Sequence, residues 1–81
     1  MAEGRVVYFC VRLMIEEDGS TFCIARYDTA HGVAHRDILN RRGQVIEKRW
    51  FPDIPFEEVL NLATDDFKLN YSQYETTWEK T

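Results

Sequence analysis

The spacing of apolar residues changes period once along the chain, and the change falls on the two prolines of "FPDIP" (51–55). Before it, apolar residues alternate. In "RVVYFCVRLMIEE" (5–17), Val7, Phe9, Val11, Leu13 and Ile15 share one face, as in a strand. After it, the repeat is 3.6. Phe56, Leu60, Ala63, Phe67, Tyr71, Tyr74 and Trp78 step by threes and fours, as on a helix with one buried side. Proline ends a sheet strand because it cannot donate to the ladder. A chain so divided must be strands first and one helix last.

Turn residues divide the first part. Asp18-Gly19 is a strong two-residue hairpin signal. Gly43, after Arg41 and Arg42, suits the left-handed position of a three-residue hairpin loop. The pattern predicts strands over 5–17, 21–28, 35–40 and 44–51 and a helix over 55–80, capped by Asp53. Ser72 to Glu75 reads as a capping box, so a break near Asn70 is the alternative to one long helix. The fold class is α+β: a four-stranded antiparallel meander packed against a long C-terminal helix. With 81 residues the chain has length for one domain and one modest core.

If Asp18 and Gly19 form the first turn and the ladder is regular, Cys23 faces Met14 and Cys10 faces Tyr27. The two cysteines then sit four positions apart, ~13 Å at the strand rise. A disulfide needs Cα atoms within ~7 Å. Two free thiols in a reducing compartment follow. "MAEGR" lacks a basic region leading into an apolar stretch, and no run approaches the ~20 apolar residues of a membrane span. The expectation is a cytoplasmic protein without membrane contact.

The net charge of -4 is unevenly placed. Residues 1–52 carry eight Lys or Arg against seven Asp or Glu, and residues 53–81 carry two against seven. That balance disfavours broad binding to nucleic acid, which rests on phosphate neutralisation. There is no GxGxxG or GxxxxGK[ST] loop, so no nucleotide cofactor is expected.

The chemistry concentrates in "RYDTAHGVAHRD" (26–37). In the regular register Arg26 and Asp28 lie on the face of Phe22 and Ile24. A charge there must be paired, with each other or with Asp37 or Glu47. His31, His35 and Asp28 form a set that could hold zinc or another divalent metal. His31 and His35 could instead cleave RNA, one as base on the 2'-hydroxyl and one as acid, with Arg36 stabilising the phosphorane. Tyr27, Arg41 and Arg42 are further binding candidates.

The motif in 27–37 resembles that of a small prokaryotic domain family of unknown function with a Y-D-x-A-H-G-x-x-H-R-D core. Tyr27, Asp28, Ala30, His31, Gly32, His35, Arg36 and Asp37 match it, and "NRRGQVIEKRWF" and "LATDDFKLNYSQYETTW" fit its later parts. The D-x-A-H-G-x-x-H pattern is more distantly similar to toxin components of prokaryotic toxin–antitoxin pairs that act on RNA. That resemblance implies an RNase-like phosphodiesterase. The residues themselves point first to a protein-interaction module, a homodimer among the options. The second sheet face would carry Tyr8, Cys10, Met14, Cys23, Ala25 and Tyr27, and exposed apolar patches usually bind something.

Overall fold

The computed structural model describes residues 8–30 and 32–81. Strands β1 (Cys10–Glu17), β2 (Ser20–Asp28), β3 (Ala34–Leu39) and β4 (Val45–Phe51) form one sheet in chain order, each antiparallel to the next. Helix α1 (Phe56–Glu79) follows and packs across β1, β2 and β3. This is the expected α+β meander. Residues 5–7 of the expected first strand lie outside the described residues.

The local signals act as their chemistry dictates. Asp18 (φ 53°) and Gly19 (φ 82°) both take left-handed backbone and close β1 onto β2, the requirement of a turn that matches strand twist. Gly43 (φ 78°) closes β3 onto β4, and its N–H donates to Asn40 O at 3.0 Å. Helix α1 runs unbroken past Asn70, and Thr76 donates its hydroxyl to Ser72 O within it at 2.9 Å. Its first residue follows Pro55, and no side chain caps it, so Asp53 does not play the expected role. Glu57 and Glu58 in the first turn offset the helix dipole instead.

The β1–β2 ladder departs from the expected register at one residue. From Glu17↔Ser20 to Met14↔Cys23 the pairing is regular. The next pair is Leu13↔Ala25, which leaves Ile24 as an extra residue in β2. Such a bulge shifts the following residues by one, and a shift of one exchanges faces. Ile24 and Ala25 both enter the core, and Cys10 faces Asp28 rather than Tyr27. Tyr27 and Ala25 therefore turn toward α1, while Arg26 turns to the open face. The expected apolar second face loses these two members, and both are buried.

The core is aromatic. Tyr27 lies between Phe51 and Phe67, with ring centroids at 6.0 and 5.3 Å. Phe67 meets Tyr74 edge-on at 5.6 Å, and Phe22 contacts Trp78 at 5.3 Å. Val59, Ala63, Phe67, Tyr74 and Trp78 are the buried helix residues. Tyr71, expected in that stripe, is 55% exposed, and Val59 takes a place the expectation omitted. Cys10 and Cys23 are free thiols, as expected.

Deleting Ile24 removes the extra residue and should leave Ala25 opposite Leu13 and Tyr27 opposite Val11, both still facing α1. The expected result is a retained near-UV circular dichroism signal, with stability in urea unfolding lowered by about 3 kcal/mol for the lost buried side chain. Loss of the signal would contradict the placement of Ile24 as the extra residue. Ile24→Ala keeps the bulge and should retain the signal at a loss of about 3 kcal/mol.

Candidate functional site

The sheet divides the motif of residues 26–37 between its two faces. Arg26, Asp28, His35 and Asp37 stand on the open face, and Tyr27 and Arg36 stand toward α1. The division follows from strand geometry, since neighbours in a strand point to opposite sides. His35 and Arg36 are thus not brought together.

On the open face the organising group is Asp37, whose side chain is buried. Arg26 donates Nε–H to its Oδ2 at 2.8 Å, and Lys48 Nζ sits 3.1 Å from Oδ1. Arg26 and Asp37 are cross-strand partners, as are Asp37 and Lys48. The three therefore form a row across β2, β3 and β4. Burial alone would push the Asp37 carboxyl up, but the Arg26 and Lys48 bonds and the field of His35 outweigh it and hold it below the usual carboxylate range. Arg26 was expected to find a carboxylate among Asp28, Asp37 and Glu47, and it finds Asp37. The pair lies on the open face, not in the main apolar layer, because the bulge exchanges the faces.

His35 is buried beside this row. Its Nδ1 lies 3.2 Å from Val33 O and its Nε2 lies 3.6 Å from Asp37 Oδ2. Both ring nitrogens thus face oxygen atoms of the fold. The ring packs on Trp50, with centroids 5.0 Å apart. Asp28, the cross-strand partner of His35, accepts Ala30 N–H at 2.5 Å. Among the described residues no three His, Cys, Asp or Glu side chains gather as a metal site. His31 lies outside the described residues.

The second cluster joins the sheet to α1 around Asp66. Tyr27 donates its hydroxyl to Asp66 Oδ2 at 2.7 Å, Tyr74 donates to the same oxygen, and Asn70 Nδ2 donates to Oδ1 at 2.7 Å. Arg36 donates to the Tyr74 hydroxyl at 3.4 Å and to Glu47 Oε2. Burial pushes Asp66 up, yet these three donors hold it below its ordinary value. Burial and the Asp66 bond push both tyrosines up, Tyr74 to about 12. Beside Arg36, between β3 and α1, opens a cleft of about 310 Å³. The helix members Asp66, Asn70 and Tyr74 were missed from sequence, although their spacing by four aligns them on one side of a helix.

Arg41 and Arg42 lie at the far hairpin. Arg41 stacks its guanidinium on the Trp78 ring at 4.3 Å and bonds Glu17 Oε1 at 2.5 Å, so it clamps both hairpins to the helix end. Arg42 is exposed in the turn.

A family model matches residues 1–81. The chain belongs to the DUF7718 family. DUF7718 is described as a domain of unknown function. No curated protein and no solved structure matches the chain. No described helix of this DUF7718 member is long and apolar enough to cross a membrane.

The two carboxylates of this DUF7718 fold make stability depend on acid. Both ionise more readily folded than unfolded. Their contribution is complete above the unfolded value of ~4 and is lost as pH falls through the lower folded values. The expected urea midpoint is flat from about pH 7 to 5 and declines below about pH 4. Asp37→Asn should cost about 2 kcal/mol at pH 7, since Arg26 and Lys48 keep partial access to water, and should make the acid decline shallower. An unchanged midpoint in that variant would contradict the role given to Asp37.

Proposed function

We propose that this protein is a cytoplasmic protein-interaction module that receives its partner along β4. The observation that carries the reading is the exposure of that strand. All six residues from Val45 to Trp50 are exposed, and three are large and apolar: Val45 at 41%, Ile46 at 49% and Trp50 at 48%. Helix α1 packs on the other three strands, and β4 is the last in the sheet. An edge strand carries unpaired backbone groups, which are a template for another chain. Large apolar side chains beside such an edge mark an interaction site more often than an idle surface. The free thiols favour a reducing compartment.

The Asp37 row supports the same reading. It fixes Lys48, and His35 fixes the position of Trp50, so β4 is held in shape before any partner arrives. Preorganisation of this kind lowers the entropy lost on binding. The RNase-like alternative, with His31, His35 and Arg36, has less support. Arg36 stands across the sheet from His35, and both nitrogens of His35 face oxygens of the fold.

The test is photocrosslinking inside the cells that make the protein. A benzophenone amino acid placed at position 50 or 46 should give a discrete heavier adduct on irradiation. The same group at position 68, exposed on the helix, should give none. No adduct from β4, or equal adducts from all three positions, would contradict the reading.

A further inference from the structure

We infer that the occupant of β4 is a second copy of this chain, paired antiparallel so that two sheets join as one of eight strands. The inference rests on the docking reading above and names its partner.

Symmetry restricts the pairing. Two identical strands that pair antiparallel are related by a two-fold axis normal to the sheet. That rotation keeps each face on its own side, so both helices lie on one face of the joined sheet. Residues directly opposite must then come from the same face. One residue of β4 must therefore lie opposite its own copy. The choices near the middle of the strand are Glu47, Lys48 and Arg49.

Charge decides among them. With Glu47 on the axis, two carboxylates meet, and Arg49 has no carboxylate opposite it. With Arg49 on the axis, two guanidinium groups meet, and Glu47 faces Phe51. With Lys48 on the axis, Glu47 of each copy faces Arg49 of the other. That pair then occurs twice, once on each side of the axis. The two lysines that meet are each already bound to their own Asp37 at 3.1 Å. Opposite charges directly across a ladder stabilise it, and like charges destabilise it.

Two features of the single chain fit this register. Arg49 has no carboxylate within ion-pair distance among the described residues; its guanidinium lies 5.3 Å from the Phe51 ring. Glu47 is half-exposed and holds Arg36 through Oε2, which leaves Oε1 for a second cation. Each group is the complement that the other lacks. Ile46 is an extra residue in β4 relative to β3, so the regular stretch is short, from Glu47 to Phe51. In so short a ladder the charge pairs set the register. The pairing also uses both β4 edges, so the assembly closes at two copies.

Sedimentation and a charge exchange test this. The natural chain should sediment as a dimer that dissociates on dilution. Glu47→Arg alone, or Arg49→Glu alone, places four like charges around the axis and should weaken the dimer at least tenfold. Mixed in equal amounts, the two variants regain complementary pairs and should form a heterodimer, seen by native mass spectrometry. Far-UV circular dichroism checks that each variant is folded. Should Glu47→Arg fail to fold through loss of the Arg36 pair, Arg49→Glu, which breaks no ion pair within the chain, carries the test alone. A natural chain that stays monomeric at millimolar concentration overturns the inference. So do variants that dimerise as tightly as the natural chain, or folded variants that do not re-pair. A monomer that still crosslinks from position 50 to a different mass overturns only the second copy. Absence of any such crosslink overturns the docking reading as well.

Discussion

One extra residue in β2 sets the two faces of this sheet. Ile24 has no partner across β1, and every residue after it stands on the side opposite to that of a regular ladder. Without that step Tyr27 would project away from the helix, and Asp66 would keep only Tyr74 and Asn70 as donors. Arg26 would project into the aromatic layer. A guanidinium among Phe51, Phe67 and Tyr74 would have to find a carboxylate there or remain costly. The bulge lets one short motif serve both sides. Its aromatic member closes the core, and its charged members build the open face.

Each face is then organised by one carboxylate. Asp66 gathers Tyr27, Asn70 and Tyr74 and ties the middle of α1 to β2. Asp37 gathers Arg26 and Lys48 and ties β2, β3 and β4 at one level. A buried carboxylate is tolerated only when donors or cations offset its burial: Asp66 has three donors, and Asp37 has the Arg26 hydrogen bond and the Lys48 ion pair. Stability and placement come from the same contacts. The Asp37 row is also what gives β4, the strand that the helix leaves uncovered, a fixed position. The reading of β4 as an interface thus depends on a charge buried one strand away.

Local signals in the sequence were sufficient where the cause was local. Asp18-Gly19 and Gly43 placed both hairpins because each needs left-handed backbone at those positions, and the change of period placed the helix to within a residue. The bulge was not legible. In "TFCIARYD" both alternating sets contain apolar residues, Phe22 with Ile24 and Cys23 with Tyr27, so either set could face the core. Periodicity cannot choose between sets that look alike, and packing against Phe67 and Trp78 made the choice. The motif was found as a cluster along the chain. Its division between faces was hidden because that depends on the same step. Tyr71 misled for a related reason: an aromatic residue at roughly helical spacing looks buried, but Tyr74 and Phe67 already fill the space above Tyr27. Asp66 was 39 positions from Tyr27 and carried no local sign of that partner.

The central claim is the parity of β2 beyond Ile24, since the core, the Asp37 row and the exposed β4 all follow from it. Cross-strand nuclear Overhauser effects in solution measure it directly. Backbone contacts between Leu13 and Ala25 and between Arg12 and Arg26 are the result this account predicts. Contacts of Leu13 with Ile24 and of Arg12 with Ala25 would mean a regular ladder with Tyr27 on the open face, and would contradict it.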